Sequence, residues 1–176
     1  MLKSFMRLKI TIILICFFIL SGLSANEPFL ARLENATSNE TQKYGIGSYT
    51  FTCKPYGVIA IEKLYNTSPK NSECRKSIER FYRKNPNLQY FAERILKYKQ
   101  LYHIEIKEKT CLVYVRGEIS LSELLLKNGL AINKVDFRDE NFRNYFLNAQ
   151  KAARLEKKGL WKEKVFENCI KNLSED

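Results

Sequence analysis

The chain has 176 residues, with 30 lysines and arginines against 19 acids, a formal net charge of +11 and one histidine. Such a charge points to an acidic partner: nucleic acid, an anionic membrane or an acidic polysaccharide. The alternative is that the lysines are scattered over a solvated surface. One histidine and no Cys-x-x-Cys pair argue against a zinc site.

The chain begins with Lys3, Arg7 and Lys9, then an apolar run from Ile10 to Leu20, then Leu23-Ser24-Ala25 with a small residue at the cut. This is the three-part layout of a secretory signal peptide. The run is shorter than the ~20 apolar residues a bilayer span needs, and a retained N-terminal anchor is the alternative reading. Cys16 follows bulky Ile15 and is a poor lipid-attachment site. We therefore expect residues 1–25 to be removed, leaving a secreted or periplasmic chain with no membrane span. The leader holds three basic residues and no acid, so the charge falls from +11 to +8.

Residues 26–47, polar and containing "NATSNETQ", are expected to form a flexible lead-in to a single domain over 48–176. "SYTFTC" and "GVIAIEKLY" read as strands around a Pro55-Tyr56-Gly57 turn. After the loop "NTSPKNS", Ser72 caps a helix to about Lys84, with Ile78, Phe81 and Tyr82 at helical spacing. Pro86 opens another helix, with Leu88, Phe91, Ala92, Ile95 and Leu96 on one face.

"LYHIEIK" alternates, placing Tyr102, Ile104 and Ile106 opposite His103, Glu105 and Lys107. The "KEKT" turn makes a hairpin with "CLVYV". "SLSELLLKNGLAI" predicts a short helix from Ser120 or Ser122 that stops at Asn128-Gly129. A last helix starts near Glu140 and buries Phe142, Tyr145, Phe146, Ala149 and Ala152. It ends in "KKGLW", where Gly159 suits a left-handed C′ position and Trp161 is expected to plug the helix base. The sum is an α+β fold: a small, mostly antiparallel sheet with three to four helices.

Without the leader four cysteines remain, Cys53, Cys74, Cys111 and Cys169. An even number in an exported chain reads as two disulfides, with three connectivities open.

The order of hairpin, glycine, "ELLLKNGLAI", loop and "AQKAARLEKKGLW", preceded by "NPNLQYFAERILKYKQLYHIEI", resembles the C-terminal half of the staphylococcal nuclease (thermonuclease-like) family. The likeness covers about Asn85 to Trp161. It implies an OB-fold-like five-stranded antiparallel β-barrel with packed helices, a fold whose groove often holds single strands. It also implies phosphodiester hydrolysis of DNA or RNA and a Ca²⁺ ion. For the cysteines it implies Cys74 with Cys111 and Cys53 with Cys169, with Cys53–Cys74 as the competing pair.

The family's catalytic parts do not carry over. Its Asp-Gly-Asp-Thr turn is absent, the nearest turn being "KPYG". Asn66-Thr67 stands where Asp-Thr is expected, with Lys70 near the place of the glutamate that prepares the attacking water. The arginine-bearing hairpin is cut to "KEKT", leaving Lys107 and Lys109 as the cations there. The ligands of a divalent cation are not identifiable.

Either the active site is rebuilt from neighbouring residues, or the fold only binds nucleic acid or an envelope protein. For a rebuilt site the segment "NSECRKSIERFYRK" supplies Glu73 as general base and Arg75 for the phosphate, with Glu62 as reserve acid. The plainer reading makes Glu73 a helix-start acid and Arg75 a solvated charge. A His103–Glu105 pair is a further acid–base candidate, against a structural histidine. Lys107, Lys109, Phe137 and Arg138 are the candidate nucleic-acid contacts. Phe137 stands where the family stacks a tyrosine on a base, or else belongs to the core.

Overall fold

The computed structural model describes residues 28–162 and 164–169. The expected signal segment, with Cys16, and residues 170–176 lie outside them. Six strands form one antiparallel sheet: β1 (Phe29–Ala36), β2 (Gln42–Ile46), β3 (Tyr49–Cys53), β5 (Leu101–Lys107), β6 (Thr110–Arg116) and β7 (Ile119–Ser120). Their order is β3-β2-β1-β5-β6-β7, and β4 (Val58–Ala60) pairs separately with β8 (Ala131–Asn133).

The expected lead-in is thus corrected from Phe29 onward: β1 lies at the centre of the sheet. Phe29 pairs with Ile104 of β5, and Arg32 with Gly45 of β2. The inward residues of β1 include two alanines, Ala31 and Ala36, and the register slips between Leu33 and Asn35. Small side chains and a bulge weaken the alternation that marks a strand.

The sheet is not closed by a strand ladder. Its opposite strands β3 and β6 meet just beyond Cys53, where the Cys111 amide donates to the Lys54 carbonyl (2.8 Å) and the Tyr56 amide to the Cys111 carbonyl (3.0 Å). A disulfide joins Cys53 and Cys111 at a Cα separation of 5.5 Å. The second disulfide is Cys74–Cys169, Cα separation 4.6 Å. Both pairs differ from the Cys74–Cys111 and Cys53–Cys169 pairing expected from the resemblance. Cys74 belongs to a helix that packs on the C-terminal helix rather than on β6, so its partner is the C-terminal cysteine.

Between β4 and β5 lie α1 (Ile61–Thr67), α2 (Glu73–Lys84), α3 (Pro86–Gln89) and α4 (Phe91–Ile95). The strand expected over "GVIAIEKLY" ends at Ala60 and becomes α1, because Ile61 and Leu64 turn inward at helical spacing. The cap on α2 is Ser72, whose hydroxyl accepts from the Arg75 amide. α5 (Leu121–Lys127) is capped by Ser120. In α6 (Glu140–Leu155) Phe146, Ala149 and Ala153 are buried, whereas Tyr145 is 65% exposed.

Gly159 is left-handed as expected, at φ 54°, but the C′ position directly after α6 is taken by Lys157, at φ 52°. Gly159 also makes a close backbone contact. Its neighbour Leu160 donates to the Gly129 carbonyl (2.8 Å), and a Cβ on Gly129 would meet the Lys158 carbonyl at 2.2 Å. The glycines of "KNGLAI" and "KKGLW" therefore exist to let two backbones touch. Trp161, half-buried in the 3₁₀ turn Gly159–Trp161, packs on Phe166 of α7 (Val165–Cys169), ring centroids 4.3 Å apart.

Candidate nucleic-acid interface

The contact of Lys54–Tyr56 with Cys111 leaves a cleft between the β1–β2 turn, the β5–β6 turn and the loop before α6. Its inner part, about 140 Å³, is lined by Lys54, Lys63, Lys109 and Lys134 with a single carboxylate, Glu40. Glu40 is largely enclosed and takes a 3.2 Å ion pair from Lys54. A wider outer hollow of about 550 Å³ shares Lys109, Thr110 and Lys134 with it and adds Lys107 and Arg138.

The four expected nucleic-acid contacts, Lys107, Lys109, Phe137 and Arg138, thus line one hollow. Phe137 is wedged into the fold: its ring stacks on Phe146 (5.4 Å) and meets Tyr56 edge-on (5.2 Å). Gly57, at φ 71°, leaves room for it, since a Cβ there would meet the ring at 2.5 Å. Tyr56 donates to Asp139 (2.9 Å), and Asp139 also accepts from the Asn141 amide at the start of α6. Burial, then that hydrogen bond to a carboxylate, push the Tyr56 hydroxyl far above its ordinary pKa.

Glu73 and Arg75 are elsewhere. The Glu73 side chain is 64% exposed at the start of α2 and pairs with Lys76 and Arg80. The Arg75 guanidinium lies over the Tyr65 ring at 4.1 Å. The two residues do not converge on a common point, and neither lines the lysine cleft. His103 and Glu105 do not pair either: Glu105 is buried, pairs with Lys107 and accepts from Tyr114 (3.3 Å). This reverses the expected faces at the end of β5, where Ile106 is the exposed residue.

Glu62 is enclosed beneath α2. Its Oε1 accepts from Asn39 Nδ2 (2.7 Å) and the Tyr82 hydroxyl (2.8 Å), while its Oε2 is buried without a partner. Burial raises its pKa above the ordinary carboxylate range, against the opposing pull of these hydrogen bonds. Fully buried Asn39 also donates to the Leu88 carbonyl and accepts from the Ala92 amide, tying the β1–β2 turn to α3 and α4.

The family model for staphylococcal nuclease homologues matches residues 32–163, or 132 of 176 residues. The chain belongs to the staphylococcal nuclease homologue family. A search of curated proteins returns no match. The match reaches far upstream of Asn85 and takes in most of β1, all of β2 and the turn between them. The Ca²⁺ that the family implies does not fit the donors present. Glu108, Asp136 and Asp139 line the outer hollow, yet among the described residues no three His, Cys, Asp or Glu side chains come together as a metal site. Asp139 is committed to Tyr56 and α6, and Glu40 to Lys54.

Sequence reasoning missed Glu40, Lys54, Lys63 and Lys134. The signal for Glu40 is the polar run "SNET", which forms the turn between the first two strands rather than part of a flexible lead-in.

Proposed function

We propose that this exported, nuclease-like protein binds the phosphate backbone of DNA or RNA in the lysine cleft. One observation carries the reading: four lysines and one carboxylate line the inner pocket; the adjoining hollow adds Lys107 and Arg138 beside Glu108, Asp136 and Asp139, so the excess of positive charge lies in the inner part. Lysines that line one pocket from a strand end, a helix and two loops can hold phosphate oxygens and release counterions from the strand. Two disulfides support export, because such bonds persist in oxidising compartments. Among the described residues no helix is long and apolar enough to cross a membrane. The test is fluorescence anisotropy on DNA and RNA across a salt series. Affinity should fall by roughly 0.9 log units per log unit of salt for each duplex phosphate engaged. Binding indifferent to salt would point to a protein partner instead.

Hydrolysis is the second reading, and Glu40 favours it. A carboxylate held by Lys54 and surrounded by three more lysines combines a base for water with cations for the charge that develops on phosphorus. Plasmid and RNA should be incubated with the purified protein in Ca²⁺, Mg²⁺ or EDTA. On this reading Glu40→Gln lowers cleavage by ~10²–10⁴-fold and leaves binding intact. No cleavage under any of these conditions leaves binding as the function.

A further inference from the structure

Beyond the lysine cleft, on the other side of the β1–β2 turn, a second cavity of about 570 Å³ opens between α1 and α2. Its size is that of a small-molecule site. The geometry points to a subsite for one unpaired nucleobase of a strand whose phosphates lie on the lysines. This inference rests on the binding reading above.

The two cavities share their dividing elements. The turn gives Ser38 to one and Glu40 to the other; α1 gives Glu62, Tyr65 and Asn66 to one and Lys63 to the other. A strand leaving the lysines across this divide meets a different chemistry. Tyr65 and Tyr82 offer rings, Asn66 and Gln89 offer amides that both donate and accept, and Arg83 offers a planar cation. That set can stack a base, read its edge and hold the adjoining phosphate.

The rings are already fixed. The Tyr82 hydroxyl donates to Glu62 and the Tyr65 hydroxyl to Glu79, each at 2.8 Å, and Tyr82 also packs on Phe81. A base entering between fixed walls does not have to order them first. A base inside a duplex is stacked and paired and would have to be extruded first, so the subsite selects single strands.

The test uses the mature protein with a labelled single-stranded oligonucleotide and its matched duplex. Tyr65→Ala combined with Asn66→Ala should weaken single-strand binding roughly tenfold with duplex binding unchanged. Tyr65→Phe, which keeps the ring but loses the bond that holds it to Glu79, should weaken single-strand binding less than the double variant does. Lys109→Ala should weaken both. Photocrosslinking of an iodouracil-substituted strand to the wild type should label Tyr65 or Tyr82, a readout that needs no variant to fold. A double variant that binds single strands normally, or loses both substrates equally, overturns the subsite and leaves the lysine cleft standing. Crosslinks confined to other residues do the same. A wild type that binds neither nucleic acid overturns both.

Discussion

The two cavities on either side of the β1–β2 turn are built from the same elements and finished oppositely. On one side the side chains are ammonium groups around one exposed-end ion pair. On the other they are rings and amides above a buried carboxylate whose contacts run deep into the fold. The first draws its energy from long-range charge and loses it to salt. The second draws it from packing and hydrogen bonds, which salt barely touches. Each side also has its own disulfide: Cys53–Cys111 pins the strands that border the lysines, and Cys74–Cys169 pins α2 to α7.

The largest effects should come from those disulfides. They close loops of 58 and 95 residues, worth about 4–5 kcal/mol each in the chain-entropy model. Replacing either pair by serines should lower the unfolding free energy measured in urea by a similar amount. Only the Cys53→Ser, Cys111→Ser protein should also lose duplex binding, because Lys54 and Lys109 flank that bond. Equal losses of binding in both proteins would erase the distinction between the two sides.

Next is Asn39, whose amide joins Glu62, the Leu88 carbonyl and the Ala92 amide. Asn39→Ala strands these buried groups and should cost about 3 kcal/mol. Denaturant unfolding measures it. A loss below ~1 kcal/mol would mean that water replaces the amide.

Glu62 gives a smaller and pH-dependent effect. Its folded pKa is raised, so the folded state binds its proton more tightly than the unfolded chain does. The stabilising contribution is present in full below the unfolded value of ~4.3 and is lost as pH rises through the folded value. Glu62→Gln keeps an oxygen for Asn39 and Tyr82 and removes the titration. Its stability should match wild type near pH 4 and exceed it at neutral pH. Parallel stability profiles for the two proteins would show that Glu62 is not held in this way.

These particulars also show what was legible in the sequence. The hairpin, the Ser72 and Ser120 caps and the helix stop at Asn128-Gly129 are local features with strong residue preferences, and they stand where expected. The gathering of Lys107 and Arg138 in one hollow was also reachable, through the resemblance. β1 was hidden by alanines and a bulge, and Glu40 was hidden with it. The disulfide partners depend on how α2 turns back onto α7, which no local pattern encodes. Glu73 and Arg75 attracted attention because they adjoin a cysteine, yet adjacency in sequence on a helix sends side chains to different faces.

Within the lysine cleft, single substitutions should give graded losses. Lys109→Ala and Lys134→Ala line both parts of the cleft, and each should reduce the salt slope on duplex DNA by about one phosphate's share, ~0.9. Lys107, already paired with buried Glu105, should contribute less. A Lys107→Ala slope change as large as that of Lys109→Ala would show that Glu105 releases it on binding.

The smallest effect is expected at Glu73. Its carboxylate stands at the positive end of α2 with Lys76 and Arg80 nearby, but it is well exposed. A helix-start acid and surface ion pairs of this kind contribute about half a kcal/mol together, and less in salt. Glu73→Gln should therefore shift thermal unfolding by no more than a degree or two, and should leave nucleic-acid binding and any cleavage at wild-type levels. Glu40→Gln in the same assay provides the contrast, since Glu40 is enclosed among the lysines. Loss of cleavage on Glu73→Gln with Glu40→Gln fully active would move the reacting phosphate from the lysine side of the turn to the surface of α2.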